Sequence, residues 1–240
     1  MQMYITILLI AVIAGVVQGV TGFGAGIVMM MVLPMFFELL GTAAGVSTAI
    51  CLVLIIMMVY NYREFVDFKK IIPPACLYVV VSSCVIVLSK YINQAIMKKV
   101  FGVFLVLLCV YYLFINKSND RKQLHPVVKV LFIVISAACD GLFGIGGPLM
   151  VIYFLSTTHS THEYLGNIQA FFMINCIYNT CFRFYNGIIG LQHLPYFAIG
   201  WIGILTGGFV AGKVVDKLDT VLLQKLTYIM IGIAGIINLL

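Results

Sequence analysis

The first apolar run of the chain, residues 4–36, is too long for one transmembrane helix and too short for two. A bilayer core takes about 20 residues of helix, so two crossings would need about 40. Five glycines lie near the centre of the run, at positions 15, 19, 22, 24 and 26. The run is therefore predicted to form two half-length helices that meet at a glycine-rich break, either as a crossing or as a re-entrant hairpin.

The same break occurs a second time, 122 residues further on, because the stretch 18–26 reappears as 140–148. Register is kept by three pairs of glycines and one pair of prolines: Gly19 and Gly141, Gly22 and Gly144, Gly24 and Gly146, Pro73 and Pro195. This offset predicts one transmembrane domain, residues 1–240, made of two internal repeats. The first repeat is residues 1–116 and the second is 130–240, with a polar linker at 117–129.

Composition places the chain in a membrane. Hydrophobic residues make up 63% of it and charged residues only 9%, whereas soluble domains carry about 25% charged residues. The apolar runs do not alternate with polar residues as they would in a transmembrane barrel. We therefore predict an all-α, multi-pass membrane protein. The first residues show neither the basic segment nor the cleavage site of a signal peptide, so the sequence is interpreted as that of the mature protein.

Each repeat is predicted to contain one glycine-broken helix pair followed by three transmembrane helices. Pro73 is expected to open its helix, because proline suits a first helical turn. The predicted spans are 41–60, 73–88 and 100–115 in the first repeat, and 165–185, 195–212 and 220–240 in the second, after a second broken run at 127–156.

The loop charges favour re-entrant breaks. If both broken runs return to their own side, the 14 Lys and Arg residues divide ten against four across the membrane. If both cross, they divide eight against six. The stronger bias agrees better with the positive-inside rule. Three crossings per repeat would invert the second repeat, as in many secondary transporters, and would place both termini outside the cytoplasm.

Two helix starts at the membrane centre would suit a small anion. Helix N-termini present free N–H groups and a positive dipole end, and glycine lets a ligand approach the backbone closely. The structural alternative is that the glycines only permit close helix packing. The predicted substrate-binding residues are Gln18, Thr21, Gly22, Phe23, Gly24 and Gly26 at the first break, Asp140, Gly144, Gly146 and Gly147 at the second, and Ser47, Thr48, Gln169 and Asn175 on the spans that follow.

The sequence is compatible with two roles for several polar residues. Asp140 could carry a coupling proton or cap the backbone, and Thr21 could donate a hydrogen bond to the anion. Asn175 and Asn179 share a helix face, where they could line a path or join helices. Arg183 could attract an anion, but it is rather expected to reach out to the membrane interface.

Other chemistry finds little support. The seven cysteines form no CxxC pair, and the cluster of His159, His162 and Glu163 lacks the spacing of known zinc motifs. The sequence contains no P-loop and no dinucleotide fingerprint. We therefore predict no metal, no cofactor, no nucleic-acid partner and no enzymatic activity, and the net charge of +6 is attributed to loops that set orientation.

The paired motifs, the four apolar segments per half and the basic central linker resemble the TauE/SafE family, also called the sulfite exporter family. The second motif, with its Gly-Gly-Pro, is the more specific, and the first departs from the family at Ala25. The resemblance implies secondary transport of a small sulfur-containing anion, such as sulfite or a short organosulfonate, with a proton or sodium as a possible coupling ion. The alternatives are a passive anion channel and an intramembrane enzyme or assembly subunit.

Overall fold

The computed structural model describes residues 2–110, 125–214, 232 and 235–236, and these residues form helices and short connections without a strand. The first half contains α1 (Gln2–Thr21), α2 (Ala25–Val32), α3 (Leu40–Tyr62), α4 (Phe68–Ser89) and α5 (Gln94–Val110). The second half contains α6 (Pro126–Phe143), α7 (Gly147–Leu155), α8 (Thr161–Tyr185) and α9 (Leu194–Val214). Short 3-10 turns lie at Leu33–Met35, Arg63–Phe65 and Leu191–His193. The predicted all-helical membrane fold is confirmed.

Five helices in the described part of the chain are long and apolar enough to cross a membrane: α1, α3, α4, α6 and α9. Helix α8 is equally long, at 25 residues, but it is more polar. Its amides and Arg183 are buried inside the protein, whereas lipid-facing side chains such as Ile177 and Phe184 are exposed. The polar face of α8 therefore points at the centre of the bundle.

The broken runs differ from their prediction, because α1 and α6 are not half-length helices. They have 20 and 18 residues, which at 1.5 Å per residue gives about 30 and 27 Å. Only α2 and α7 are short, with eight and nine residues. The physical reason is that Gly15 and Gly19 stay helical, and the first run breaks only at Gly22, which has a positive φ of 80°.

One predicted helix start is also wrong. Helix α4 begins five residues before Pro73, at Phe68, because the Asp67 side chain caps it by accepting from the Lys69 N–H at 3.0 Å. Helix α6 begins at Pro126, within one residue of the predicted broken run at 127–156, and His125 caps it. The remainder of the linker at 117–124, the end of the 100–115 span and most of the 220–240 span lie outside the described residues.

Close packing on glycine holds the outer helices together. Helix α1 packs along α9, α4 along α6, and α3 along α8 at the centre. A Cβ on Gly15 would meet the carbonyl oxygen of Ile204, and one on Gly19 would lie 2.5 Å from the Cβ of Ala211. The helix pairs α1–α9 and α4–α6 are related by the 122-residue offset, because α1 corresponds to α6 and α4 corresponds to α9. The division into two repeats stays a prediction.

Candidate functional site

The two helix breaks lie against each other at the centre of the bundle. The chain turns at Gly22 and Gly24 in the first break and at Gly144 in the second, with φ values of 80°, 101° and 66°. A Cβ on Gly26 would lie only 3.1 Å from the carbonyl oxygen of Gly144, and one on Gly147 would lie 3.8 Å from the Phe23 ring. Residues distant in sequence are therefore brought together by the backbone itself.

Local hydrogen bonds fix the shape of each break. The Gly22 N–H donates to the Gln18 carbonyl and the Gly144 N–H to the Asp140 carbonyl, both at 2.8 Å. The Thr21 hydroxyl lies 2.7 Å from the carbonyl oxygens of both Val17 and Phe23. These bonds close α1 and α6, so the positive φ angles are held in place by the surrounding backbone.

A cavity of about 70 Å³ opens beside the two breaks. A site needs about 10–15 Å³ on this measure to hold one water molecule, so the cavity has room for roughly five water-sized groups. Eleven of the fourteen predicted site residues line it: Gln18, Phe23, Gly24, Gly26, Ser47, Thr48, Asp140, Gly144, Gly146, Gly147 and Asn175. The other three, Thr21, Gly22 and Gln169, do not belong to the lining, and their polar groups support the breaks.

Seven further residues complete the wall: Ile27, Cys51, Ile55, Tyr78, Ile145, Phe172 and Cys176. Sequence reasoning missed them because they are apolar or weakly polar residues within apolar runs. A signal was nevertheless present, since Ser47, Cys51 and Ile55 are spaced four apart and share one face of a helix. The same spacing from Phe172 leads to Cys176.

The short helices α2 and α7 begin at this cavity. Gly24 and Gly146 precede their first turns, and within the described residues neither start receives a side-chain cap. The first N–H groups of a helix have no partner inside it, and its N-terminus carries the positive end of the dipole. Both features attract a negative charge. Pro148, in the first turn of α7, has no N–H to contribute.

Amide side chains link α8 to the first break. The Gln18 Nε2 donates to the Gln169 Oε1 at 3.4 Å, and the Gln169 Nε2 donates to the Gly22 carbonyl at 2.5 Å. Gln169 is fully buried. We conclude that Gln169 stabilises the turn at Gly22, and that Gln18 is the member of the pair that reaches the cavity wall.

Two polar atoms in the cavity wall are left without a hydrogen bond to any described residue: the Asn175 Oδ1 and the Ser47 Oγ. Asn175 is 3% exposed and Ser47 is fully buried. The amide nitrogen of Asn175 donates to the Phe171 carbonyl at 2.7 Å, so only its oxygen is unsatisfied. A buried acceptor without a partner is costly, and its place in the wall indicates that a ligand or water satisfies it.

Asp140 is the one acidic residue among the described residues of the lining. Its Oδ2 accepts from the Asn179 Nδ2 at 2.5 Å, and the Tyr78 hydroxyl faces the same carboxylate. The carboxylate is therefore held by neutral donors from α8 and α4 and touches the cavity as well.

Arg183 is fully buried, so the expectation that it reaches the membrane interface is wrong. Its guanidinium donates to the carbonyl oxygens of Asp140 at 3.0 Å, Gly141 at 2.8 Å and Gly41 at 3.1 Å. Carbonyl groups at a helix C-terminus carry partial negative charge, which a cation stabilises. Arg183 thus secures the end of α6 where the second break begins.

A multi-span helical bundle whose interrupted helices start at a cavity lined in part by polar groups has the construction of a membrane transporter. The sulfite exporter TauE/SafE family matches residues 7–237, and the chain belongs to this family. A probable membrane transporter protein of Methanocaldococcus jannaschii is 28% identical over 163 residues, which cover 62% of this chain and 60% of that relative. No solved structure matches the chain.

These findings confirm the predicted family and the predicted class of multi-pass helical membrane protein, for which the inner (plasma) membrane is the usual location. The long apolar helices fit a chain that crosses the lipid bilayer several times.

Proposed function

We propose that the protein is a secondary transporter of a small anion, bound in the cavity between the two helix breaks. The observation that supports this most strongly is that two uncapped helix N-termini, those of α2 and α7, begin at one cavity. The matching family is described as a sulfite exporter family, so a sulfur oxyanion, either sulfite or a short organosulfonate, is the proposed substrate.

The size of the cavity agrees with this substrate. Sulfite has four heavy atoms, and the cavity has room for roughly five water-sized groups. A large organic anion would require a wider cavity. The proposed binding groups are the backbone N–H groups at the starts of α2 and α7, helped by the Gln18 amide and the Ser47 hydroxyl. Thr48 also lines the cavity, but its hydroxyl donates to the Ala44 carbonyl at 2.8 Å.

Backbone donors suit a transported anion better than basic side chains would. Among the described residues of the lining, none is a Lys or an Arg. An anion held by a full positive charge in a medium of low dielectric constant would be released slowly. Partial charges at two helix ends stabilise the anion less strongly, so it can leave when the cavity opens to the other side.

The test is uptake of ³⁵S-labelled sulfite into proteoliposomes, with short sulfonates as competitors. The informative variant is Gly147→Ala, because its methyl group would enter the cavity wall at ordinary contact distances of 3.7 Å from Phe172 and 3.8 Å from Phe23. It narrows the site without a backbone clash. The matched control is Gly212→Ala on α9, where a Cβ would meet nothing within 4 Å.

We expect saturable uptake that is stimulated by internal sulfite, reduced at least tenfold in Gly147→Ala and unchanged in Gly212→Ala. Linear uptake without counterflow would instead identify a passive channel. If no sulfur anion is transported, the proposed substrate is wrong. If other small anions are not transported either, the secondary-transport proposal is wrong as well. Equal uptake by both variants would show that the anion does not bind between the breaks.

A further inference from the structure

We infer that the cavity contains a second subsite, which holds one monovalent positive charge, a sodium ion or a proton, on the side of Asp140, Asn175 and Ser47. This inference rests on the proposed anion transport, because it assigns the second charge to that same cavity. The subsite would be filled together with the anion, which makes the protein a symporter of an anion and a cation.

The first argument is electrostatic. A carboxylate in the wall of a small anion cavity repels the anion, and the repulsion is strong in a medium of low dielectric constant. The nearest basic side chain, Arg183, offsets this repulsion only in part, because it acts on the carboxylate through space and gives its described hydrogen bonds to backbone carbonyls. A second positive charge next to Asp140 would reduce the remaining repulsion in the bound state.

Apart from Arg183, the described surroundings of Asp140 supply no positive charge. Asn179 on α8 and Tyr78 on α4 are neutral donors to it. The remaining titratable groups near the carboxylate are the guanidinium of Arg183 and the thiols of Cys139 and Cys176. Within the described residues, no lysine or histidine faces this carboxylate.

The second argument comes from the unsatisfied oxygens and does not depend on the first. The Asn175 Oδ1 has lone pairs and no hydrogen, and its orientation follows from the amide donation to the Phe171 carbonyl. An anion without a hydrogen cannot satisfy this atom, whereas a cation, the hydroxyl of a protonated carboxyl group or a water molecule can. The Ser47 Oγ, which interacts with the Cys51 thiol, a weak donor, keeps a lone pair as a second available acceptor.

The three residues come together through helix geometry. Asn175 and Asn179 are four residues apart and share one face of α8, and Asn179 already bonds the Asp140 carboxylate. Ser47 extends from α3 into the same cavity, 4.0 Å from the position of a Cβ on Gly26. One carboxylate, one amide oxygen and one hydroxyl oxygen form the kind of oxygen set that binds hard cations.

Sodium and a proton would act in the same way at this site. Sodium would be coordinated by the oxygens without a change in covalent bonds. A proton would convert the Asp140 carboxylate to a carboxylic acid, whose hydroxyl can donate to the Asn175 Oδ1, and the proton would be released on the other side of the membrane. In both cases one negative charge on the protein is neutralised while the anion is bound.

The first test does not need the anion. The melting temperature of the purified full chain in detergent is measured in sodium chloride against choline chloride at equal ionic strength, and across pH 5.5 to 8.5 without sodium. A ligand that binds only the folded state raises the melting temperature. We expect wild type to respond to one of these cations, and Asp140→Asn and Asn175→Leu to respond at least tenfold more weakly. The matched control is Asp67→Asn, an exposed helix cap, which should respond as wild type does.

The second test uses ³⁵S-sulfite in proteoliposomes. We expect an inward sodium or proton gradient to drive accumulation by wild type and by Asp67→Asn, whereas Asp140→Asn loses gradient-driven accumulation. Should Asp140→Asn fail to fold, Asn175→Leu takes its place. Sulfite flux that responds to neither gradient, or accumulation that survives in Asp140→Asn, would overturn the inference while leaving the anion transporter intact. Absence of all flux would overturn the transporter proposal, and the melting experiment would then decide on the cation site.

Discussion

Replacing Arg183 by methionine tests how the second helix break is stabilised. The guanidinium makes three hydrogen bonds to backbone carbonyls. The Asp140 carbonyl keeps the Gly144 N–H as a second donor, but among the described residues the Gly141 carbonyl accepts only from Arg183. An orphaned buried acceptor costs about 1–3 kcal/mol, and removing one partner from a buried charged network costs about 3–5 kcal/mol in total. We expect Arg183→Met to lose about 3–5 kcal/mol in the free energy of unfolding.

The assay is equilibrium unfolding of the purified protein in lipid bicelles, followed by helical circular dichroism. The double variant Arg183→Met with Asp140→Asn removes the nearby negative charge as well. The free energy of unfolding that the double variant loses should therefore be smaller than the sum of the losses of the two single variants. The difference should be at least about 1 kcal/mol, as for neighbouring charges in one network. A loss below about 1 kcal/mol for Arg183→Met, or strict additivity, would refute this account of the α6 terminus.

Three further predictions concern packing, accessibility and the surface. Gly15→Ala should lower the free energy of unfolding by about 1–3 kcal/mol, because its Cβ would meet backbone atoms of α9. If Gly15→Ala lowered it no more than Gly212→Ala does, the close packing of α1 on α9 would be contradicted. In a variant that keeps Cys176 as its only cysteine, iodoacetamide should modify this cavity-lining thiol. Bound methanesulfonate should slow the modification at least twofold. A modification rate that methanesulfonate does not change would show that the anion binds elsewhere. Glu163→Gln removes the partly exposed ion pair with Lys70, at 2.5 Å, and should cost less than about 1 kcal/mol in the free energy of unfolding. This corresponds to a shift in melting temperature of at most about 4 °C. A larger shift would show that the pair does more than join the starts of α4 and α8.

The residues that turn the chain could be predicted from sequence because their requirement is local. Gly22 and Gly144 adopt left-handed backbone angles, which only glycine tolerates without strain, and they recur at a fixed offset. The same logic gave wrong lengths for α1 and α6, since glycine inside a helix costs only about 1 kcal/mol and packing against α9 repays it at Gly15. Sequence alone does not distinguish a glycine that breaks a helix from one that permits a close neighbour.

The site could be predicted only in part for a related reason. Polar residues in apolar runs were conspicuous, so Gln18, Asp140 and Asn175 were named before the structure placed them in one wall. Tyr78 and Cys176 do not differ in this way from the apolar residues around them in the sequence. The role of Arg183 depended on three carbonyls that are distant in sequence, and no local pattern reports contacts of this kind.

The proposed anion position is tested most directly by locating a bound heavy-atom analogue. Crystals of the protein soaked with selenite, which has the shape and charge of sulfite, would give an anomalous difference peak at selenium. The account predicts one peak inside the cavity, with selenite oxygens within about 2.7–3.2 Å of backbone nitrogens at the starts of α2 and α7. A strong peak elsewhere, with the cavity empty at a selenite concentration that saturates transport, would contradict it.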